Sequence, residues 1–128
     1  MEFNKNQIEK ANINSNFNFP KLVKELKEIG VTNFKTFVSN GLTEYFDQNN
    51  EQISFDGINN FSISDQLNVA KFEERLKLHQ QGGTDFLTFC KDCAENGVDN
   101  WVVDLQKMTC TYFDKKGNSV LVEKIPSI

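Results

Sequence analysis

The chain has 128 residues, enough for one domain burying about two-thirds of its unfolded surface and too few for two independent cores of ordinary size. Its net charge is −4 and 13 of its 14 basic residues are lysine, so Arg75 alone offers the forked guanidinium favoured at phosphates and base edges, and nucleic-acid binding is disfavoured. No run approaches the roughly 20 apolar residues of a membrane span, the start Met1-Glu2-Phe3-Asn4-Lys5-Asn6 is polar where a secretory leader is apolar, and three cysteines cannot pair completely; a cytoplasmic protein with no membrane partner is expected.

Gln7 to Ala11 begins a short helical pattern with Ile8, Ala11 and Ile13 on one side. A clearer helix runs over Phe19–Ile29, where Phe19, Leu22, Val23, Leu26 and Ile29 share one face and Pro20 sits in the first turn, where its missing N–H costs little. Lys21 and Lys24 fall on the outer face beside Glu25 and Glu28, a solvated surface rather than a basic patch. Gly30 ends this helix. Asn33–Ser39 then alternates with Phe34, Thr36 and Val38 on one face, Asn40-Gly41 signals a hairpin, and Thr43–Asp47 returns as the second strand. Asn49-Asn50 and Gln52–Phe55 suggest another turn and a third strand.

Gly57–Phe61 reads as a loop. Ser64 is placed to cap a helix over Asp65–Gln81, with Leu67, Ala70, Phe72, Leu76 and His79 inward, and Gly82-Gly83 breaks it. Thr84 is placed to cap the next helix, whose apolar face is Phe86, Phe89, Cys90 and Cys93. Gly97 closes that helix, and strands follow over Asp99–Leu105, Met108–Asp114 and Ser119–Lys124, with Lys116-Gly117-Asn118 as the last turn.

The second half repeats the first. At a constant offset of 67, Phe19–Phe55 aligns without a gap on Phe86–Val122 and nine of the 37 pairs are identical, including Gly30-Val31 with Gly97-Val98 and Tyr45-Phe46-Asp47 with Tyr112-Phe113-Asp114. A tandem duplication follows, with units over about residues 1–56 and 64–125 of a single domain spanning 1–128. Each unit reads helix, helix, strand, strand, strand. The expected fold is therefore α+β, an antiparallel sheet of two meanders with helices packed on one face.

Candidate chemistry is sparse. Cys90-Lys91-Asp92-Cys93 has the spacing of a redox pair or half a metal site, and His79 and Cys110 are the remaining soft or imidazole ligands, so an alternative metal or thiol centre comprises His79, Cys90, Cys93 and Cys110. Against it, the pair starts about six residues into its helix, and Cys90 and Cys93 match Val23 and Leu26, which makes buried structural thiols the preferred reading. His79 ends a helix, where a side chain bonding the last turn is the plain expectation. Asp104 stands where the first half has Phe37, so it faces water or finds a partner such as Tyr112 or Thr109. Twelve Phe, two Tyr and one Trp exceed what a small core needs, and Phe37, Phe46 and Phe113 alternate away from the core side of their strands, so they form an exposed apolar surface unless the sheet is enclosed.

His79-Gln80-Gln81-Gly82, Thr84-Asp85, Thr88-Phe89-Cys90, Trp101-Val102-Val103-Asp104, Met108-Thr109-Cys110-Thr111-Tyr112 and Leu121-Val122-Glu123-Lys124-Ile125-Pro126 together form a recognisable string, and Phe19-Pro20, Thr36-Phe37-Val38-Ser39-Asn40-Gly41 and Thr43-Glu44-Tyr45-Phe46 extend it. It resembles the YbcV/YdfO-like family of small bacterial and prophage-encoded proteins of unknown function, often labelled phage envelope protein. The resemblance covers nearly the whole chain and implies no activity, cofactor or catalytic residue. With no catalytic set in view, the expectation is a non-enzymatic binding or regulatory domain acting through a sheet face or the cleft between its halves. His79, Asp104, Phe37 and Phe113 are the candidate binding residues; the partner is a small ligand or a protein, a second copy in a homodimer included.

Overall fold

The computed structural model describes residues 3–15 and 19–126. Met1 and Glu2 of the polar start lie outside the described residues. Among the described residues there are four helices and six strands: α1 Lys5–Ser15, α2 Phe19–Glu28, β1 Asn33–Phe37, β2 Thr43–Phe46, β3 Gln52–Phe55, α3 Val69–Gln80, α4 Phe86–Glu95, β4 Val98–Asp104, β5 Thr109–Asp114 and β6 Ser119–Lys124. The strands form one antiparallel sheet in the order β3-β2-β1-β4-β5-β6, so the expected α+β class with two meanders is the observed one. Phe34, Tyr45, Trp101, Val103, Cys110 and Tyr112 alternate onto one sheet face. They share a buried cluster with Val23 and Leu26 of α2, Phe72 and Leu76 of α3, and Phe89, Cys90 and Cys93 of α4.

β1 and β4 join the halves at the middle of the sheet. Asn33 pairs with Asp104, Lys35 with Val102 and Phe37 with Asn100. Adding 67 to Asn33 gives Asn100, and subtracting it from Asp104 gives Phe37, so exchanging the halves maps the outer pairs onto each other and leaves Lys35–Val102 in the centre. The flanking hydrogen bonds obey the same rule: Leu105 N donates to Thr32 O at 3.0 Å and Val38 N to Asp99 O at 2.9 Å. Within the hairpins, Phe34 pairs with Tyr45 and Trp101 with Tyr112. Gly30 and Gly97 each follow a helix at positive φ, 104° and 88°.

The second hairpin turns match in the bonds made by the aspartate Oδ1. Asp47 Oδ1 accepts from Asn49 N and Glu51 N, and Asp114 Oδ1 accepts from Lys116 N and Asn118 N. Asn50 holds the left-handed position in the first turn at φ 62° and Gly117 in the second at 84°, the two residue types that tolerate it best.

Several local expectations are corrected. The third helix begins at Val69 with Asn68 as its cap, accepting from Lys71 N, rather than at Asp65 under Ser64. Ser64 Oγ instead closes a turn on Gln66 N, and Asn68 N is tied to the Asn96 carbonyl, which fixes the later start. Leu67 and Ala70 consequently lie exposed on the approach to the helix and its first turn. The cap of α4 is Asp85, accepting from Thr88 N at 2.8 Å, because a carboxylate outcompetes the neighbouring Thr84 hydroxyl, which turns to His79. Ile13 points outward at 75% exposure, beyond the side of α1 that buries Ile8 and Ala11.

Gly97 and Gly117 share positive φ but differ in surroundings: a Cβ on Gly97 would sit 2.8 Å from Gln66 O, whereas one on Gly117 would meet open space. Gly97→Ala should therefore destabilise the protein by more than about 1 kcal/mol, from strain plus collision with the segment leading into α3, while Gly117→Ala pays for strain alone. Urea denaturation of the two variants gives the order; equal losses would mean that the contact at Gly97 is unimportant.

Candidate functional site

His79 closes α3. Its Nδ1 lies 3.1 Å from Thr84 O and 3.0 Å from Thr84 Oγ1, so the carbonyl selects the tautomer protonated at Nδ1. The ring stacks on Phe89 with centroids 4.3 Å apart and planes at 9°. Burial holds its pKa below the ordinary histidine value, against the opposing pull of the Thr84 bond and the charges of Asp85 and Asp92. These contacts describe a fastener between α3 and the start of α4. Arg75 is committed in the same way: its Nε donates to Asp92 Oδ2 of α4 at 2.9 Å.

The thiols are interior. Cys90, Cys93 and Cys110 are free and buried, and loss of water pushes Cys90 up to about 11, Cys110 up to about 12 and Cys93 well above its usual range. A thiolate nucleophile needs the opposite shift. Val23 and Leu26, which match Cys90 and Cys93, are fully buried in α2 just as the thiols are in α4. Among the described residues no three His, Cys, Asp or Glu side chains group in a way that could hold a metal ion, so the alternative set His79, Cys90, Cys93 and Cys110 does not assemble into a centre.

Phe37 and Phe113 lie on the sheet face turned away from the helices, in one cross-strand row on either side of Asn100. They are half-buried rather than exposed. Lys35 reaches over the Phe37 ring at 4.6 Å, and Glu44, Asn33 and Thr111 occupy the same face, so the expected apolar surface is broken by polar and charged side chains. Asp104 is on this face at the far end of β4, and His79 is in the helix layer on the other side. The four candidate binding residues thus do not form one site.

Asp104 lines a cleft. Its Oδ1 accepts from Gln106 N and Lys107 N, both at 2.9 Å, and so shapes the turn into β5; the expected partners Tyr112 and Thr109 play no part in these bonds. The cleft, of about 280 Å³, is lined by Thr32, Asn33, Asp47, Gln48 and Asn50 from the first half and Val102, Asp104 and Gln106 from the second. The matched place in the other half is occupied by Lys35 and Phe37, the stacked pair. At the cleft, Asp104 and Val102 thus stand where the other end has Phe37 and Lys35, which exchanges a stacked aromatic and cation for a carboxylate and a smaller apolar side chain.

Asp47 was legible in the sequence as part of the repeated Tyr-Phe-Asp triplet, but its chemistry was not. It is 1% exposed, and its Oδ2 has no hydrogen-bond partner. In the matched turn, Asp114 Oδ2 receives the Asn118 amide at 3.3 Å. The residue matching Asn118 is Glu51, whose side chain has no amide N–H to offer. The signal was thus one amide-to-acid difference four residues past a conserved-in-both-halves aspartate.

Two outcomes follow for the helix layer. Cys90→Val, a swap of similar volume into a site whose counterpart is already valine, should cost under about 1.5 kcal/mol; rapid native-state labelling of Cys90 by a thiol reagent would contradict its burial. For His79, the unfolded chain takes up a proton near pH 6.5 while the folded protein resists until lower pH, so stability should fall as pH drops through that value. Comparing denaturation at about pH 7.5 and about pH 5.5, the wild type should lose more stability than His79→Gln; parallel losses would assign the effect elsewhere.

Comparison with curated proteins finds no match. Residues 6–124, which include both halves and every cleft residue, match the family described as proteins of unknown function, DUF1398, and the chain belongs to that family.

Proposed function

We propose that this chain is a non-enzymatic binding domain that takes a small polar ligand in the cleft between its two halves. The observation that carries the reading is the asymmetry at one end of the sheet: side chains from both halves line a 280 Å³ polar cleft where the symmetry-matched location is filled by Lys35 on Phe37. A duplicated meander accounts for this economically. Residues kept in both copies build the core, and a polar exchange in one copy opens a site without disturbing the other. The raised thiol pKa values and the structural engagement of His79 supply no nucleophile or base for catalysis. A sheet-face protein interface or homodimer is the weaker reading, since charge interrupts the aromatic row. The narrower kinship with the YbcV/YdfO-like prophage proteins and a cytoplasmic setting accompany this proposal. Among the described residues no helix is long and apolar enough to cross a membrane, so the envelope label has no membrane-spanning helix behind it.

The test is amide chemical-shift mapping with mixtures of small polar metabolites. Shifts should gather on Thr32, Asn33, Asn50 and Gln106, and should vanish in Asp104→Phe, which installs the matched aromatic and fills the cleft. That variant should remain folded at a cost of about 1–3 kcal/mol for the two backbone N–H groups it leaves without the carboxylate. Shifts centred on Phe37 and Phe113, or shifts that survive Asp104→Phe, would move the function to the sheet face.

A further inference from the structure

The cleft's ligand has a definite charge and donor pattern. We infer that it is a small hydrophilic molecule carrying a primary ammonium group, which docks on Asp47 Oδ2 and Asp104 Oδ2; this rests on the cleft being the binding site. Asp47 is the central observation. A carboxylate oxygen shut off from water and without a donor is costly, by several kcal/mol where no compensating charge is near. The homologous turn shows how the fold satisfies that atom when no ligand is involved: Asn118 donates its amide to Asp114 Oδ2. At the Asp47 turn the donor is replaced by Glu51, which leaves the atom open and adds a further negative charge to the turn.

The lining contains two carboxylates, the amides of Asn33, Gln48, Asn50 and Gln106, and no basic side chain. An anion would be repelled there. Each carboxylate has one oxygen committed to two backbone N–H groups, Asp47 to Asn49 and Glu51, and Asp104 to Gln106 and Lys107. Each therefore offers a single remaining oxygen. An ammonium brings three N–H donors, which two carboxylate oxygens and one amide carbonyl satisfy. A calcium-class cation needs six to eight oxygens, and no three acidic, imidazole or thiol side chains converge among the described residues. Size argues the same way. At about 280 Å³ the cleft is many times the roughly 10–15 Å³ that holds one water, so a bare ion would leave most of it empty. The amides are suited to the hydroxyl or carbonyl groups of the ligand's body, because each both donates and accepts. Docking on the shielded Oδ2 of Asp47 requires the rim of the cleft, where Gln48 and Asn50 are exposed, to yield to the incoming ammonium.

Calorimetric titration of the full chain with glucosamine and with its neutral partner N-acetylglucosamine isolates the charge, with putrescine, calcium chloride and magnesium chloride as further probes. The expected result is binding of at least one amine, at least tenfold tighter than N-acetylglucosamine, weakened at least tenfold in Asp47→Asn and in Asp104→Asn. Glu51→Asn copies the Asp114 turn. It should raise the melting temperature by satisfying Oδ2 and lower amine affinity at least tenfold, which keeps the test decisive if Asp47→Asn fails to fold. Equal affinity for the neutral sugar, a metal chloride binding more tightly than any amine, unaffected binding in Glu51→Asn, or no binding by any amine would each overturn the inference. A neutral probe that binds and is lost in Asp104→Phe would do so while leaving the cleft as the binding site.

Discussion

The antiparallel pairing of β1 with β4 is the contact on which the rest of the molecule depends. Each half contributes a three-stranded meander, and without the other each would expose β1 or β4 as an unpaired edge and lack a core of adequate size. Pairing Asn33–Phe37 with Asn100–Asp104 converts two open edges into the centre of a six-stranded sheet. It also brings Val103 beside Phe34 and Thr36 beside Trp101, so the buried faces of the two hairpins meet in the middle of the sheet. Because the strands run antiparallel, the join is related to itself by exchange of the halves. One set of backbone hydrogen bonds therefore serves both, and a single favourable register is reinforced from two sides.

That constraint explains what the sequence made readable. The 3.6-residue spacing of Val23 and Leu26, and of Cys90 and Cys93, marked the buried helix faces, and the alternation of Phe34 with Thr36 and of Tyr112 with Cys110 marked the core side of the strands. Turn chemistry was clear at Asn40-Gly41 and at Lys116-Gly117-Asn118. The helix starts were less so, since Ser64 and Thr84 are as good caps in isolation as Asn68 and Asp85. What decided between them was tertiary: Asn68 N reaches the Asn96 carbonyl across the chain, and the Thr84 hydroxyl is taken by His79. Leu67 and Ala70 fitted a helical stripe on paper and lost it once the helix began later.

The candidate site was legible only in half. Asp104 standing where the first half has Phe37 marked a position, because comparison of two similar halves exposes where they differ. It did not show that Asp104 closes its own turn through Oδ1 and lies in the lining of a cleft, nor that His79 belongs to a separate fastening between α3 and α4. Phe37 and Phe113 were correctly placed on the outer face, but their spacing says nothing about Lys35 lying over Phe37. Asp47 escaped notice for the opposite reason. A residue kept in both halves reads as structural, and its Oδ1 is structural in both turns; the difference lies in what Oδ2 meets, which depends on a neighbour four residues away.

Two exchanges therefore converge on one end of the sheet from different strands. Replacing an aromatic by Asp104 removes filling volume, and having Glu51 where the other turn has Asn118 removes a donor. Either alone has a simple cost: an underfilled surface, or an unsatisfied acceptor. Together they put a residue with an orphaned carboxylate oxygen, Asp47, and the exchanged Asp104 in the lining of one polar cleft. Sequences agree with their fold at most positions, and departures that cost stability tend to collect where binding is carried out. The matched end of this sheet, with Asp114 satisfied and Phe37 under Lys35, shows the same framework with neither departure, so the framework itself does not require them.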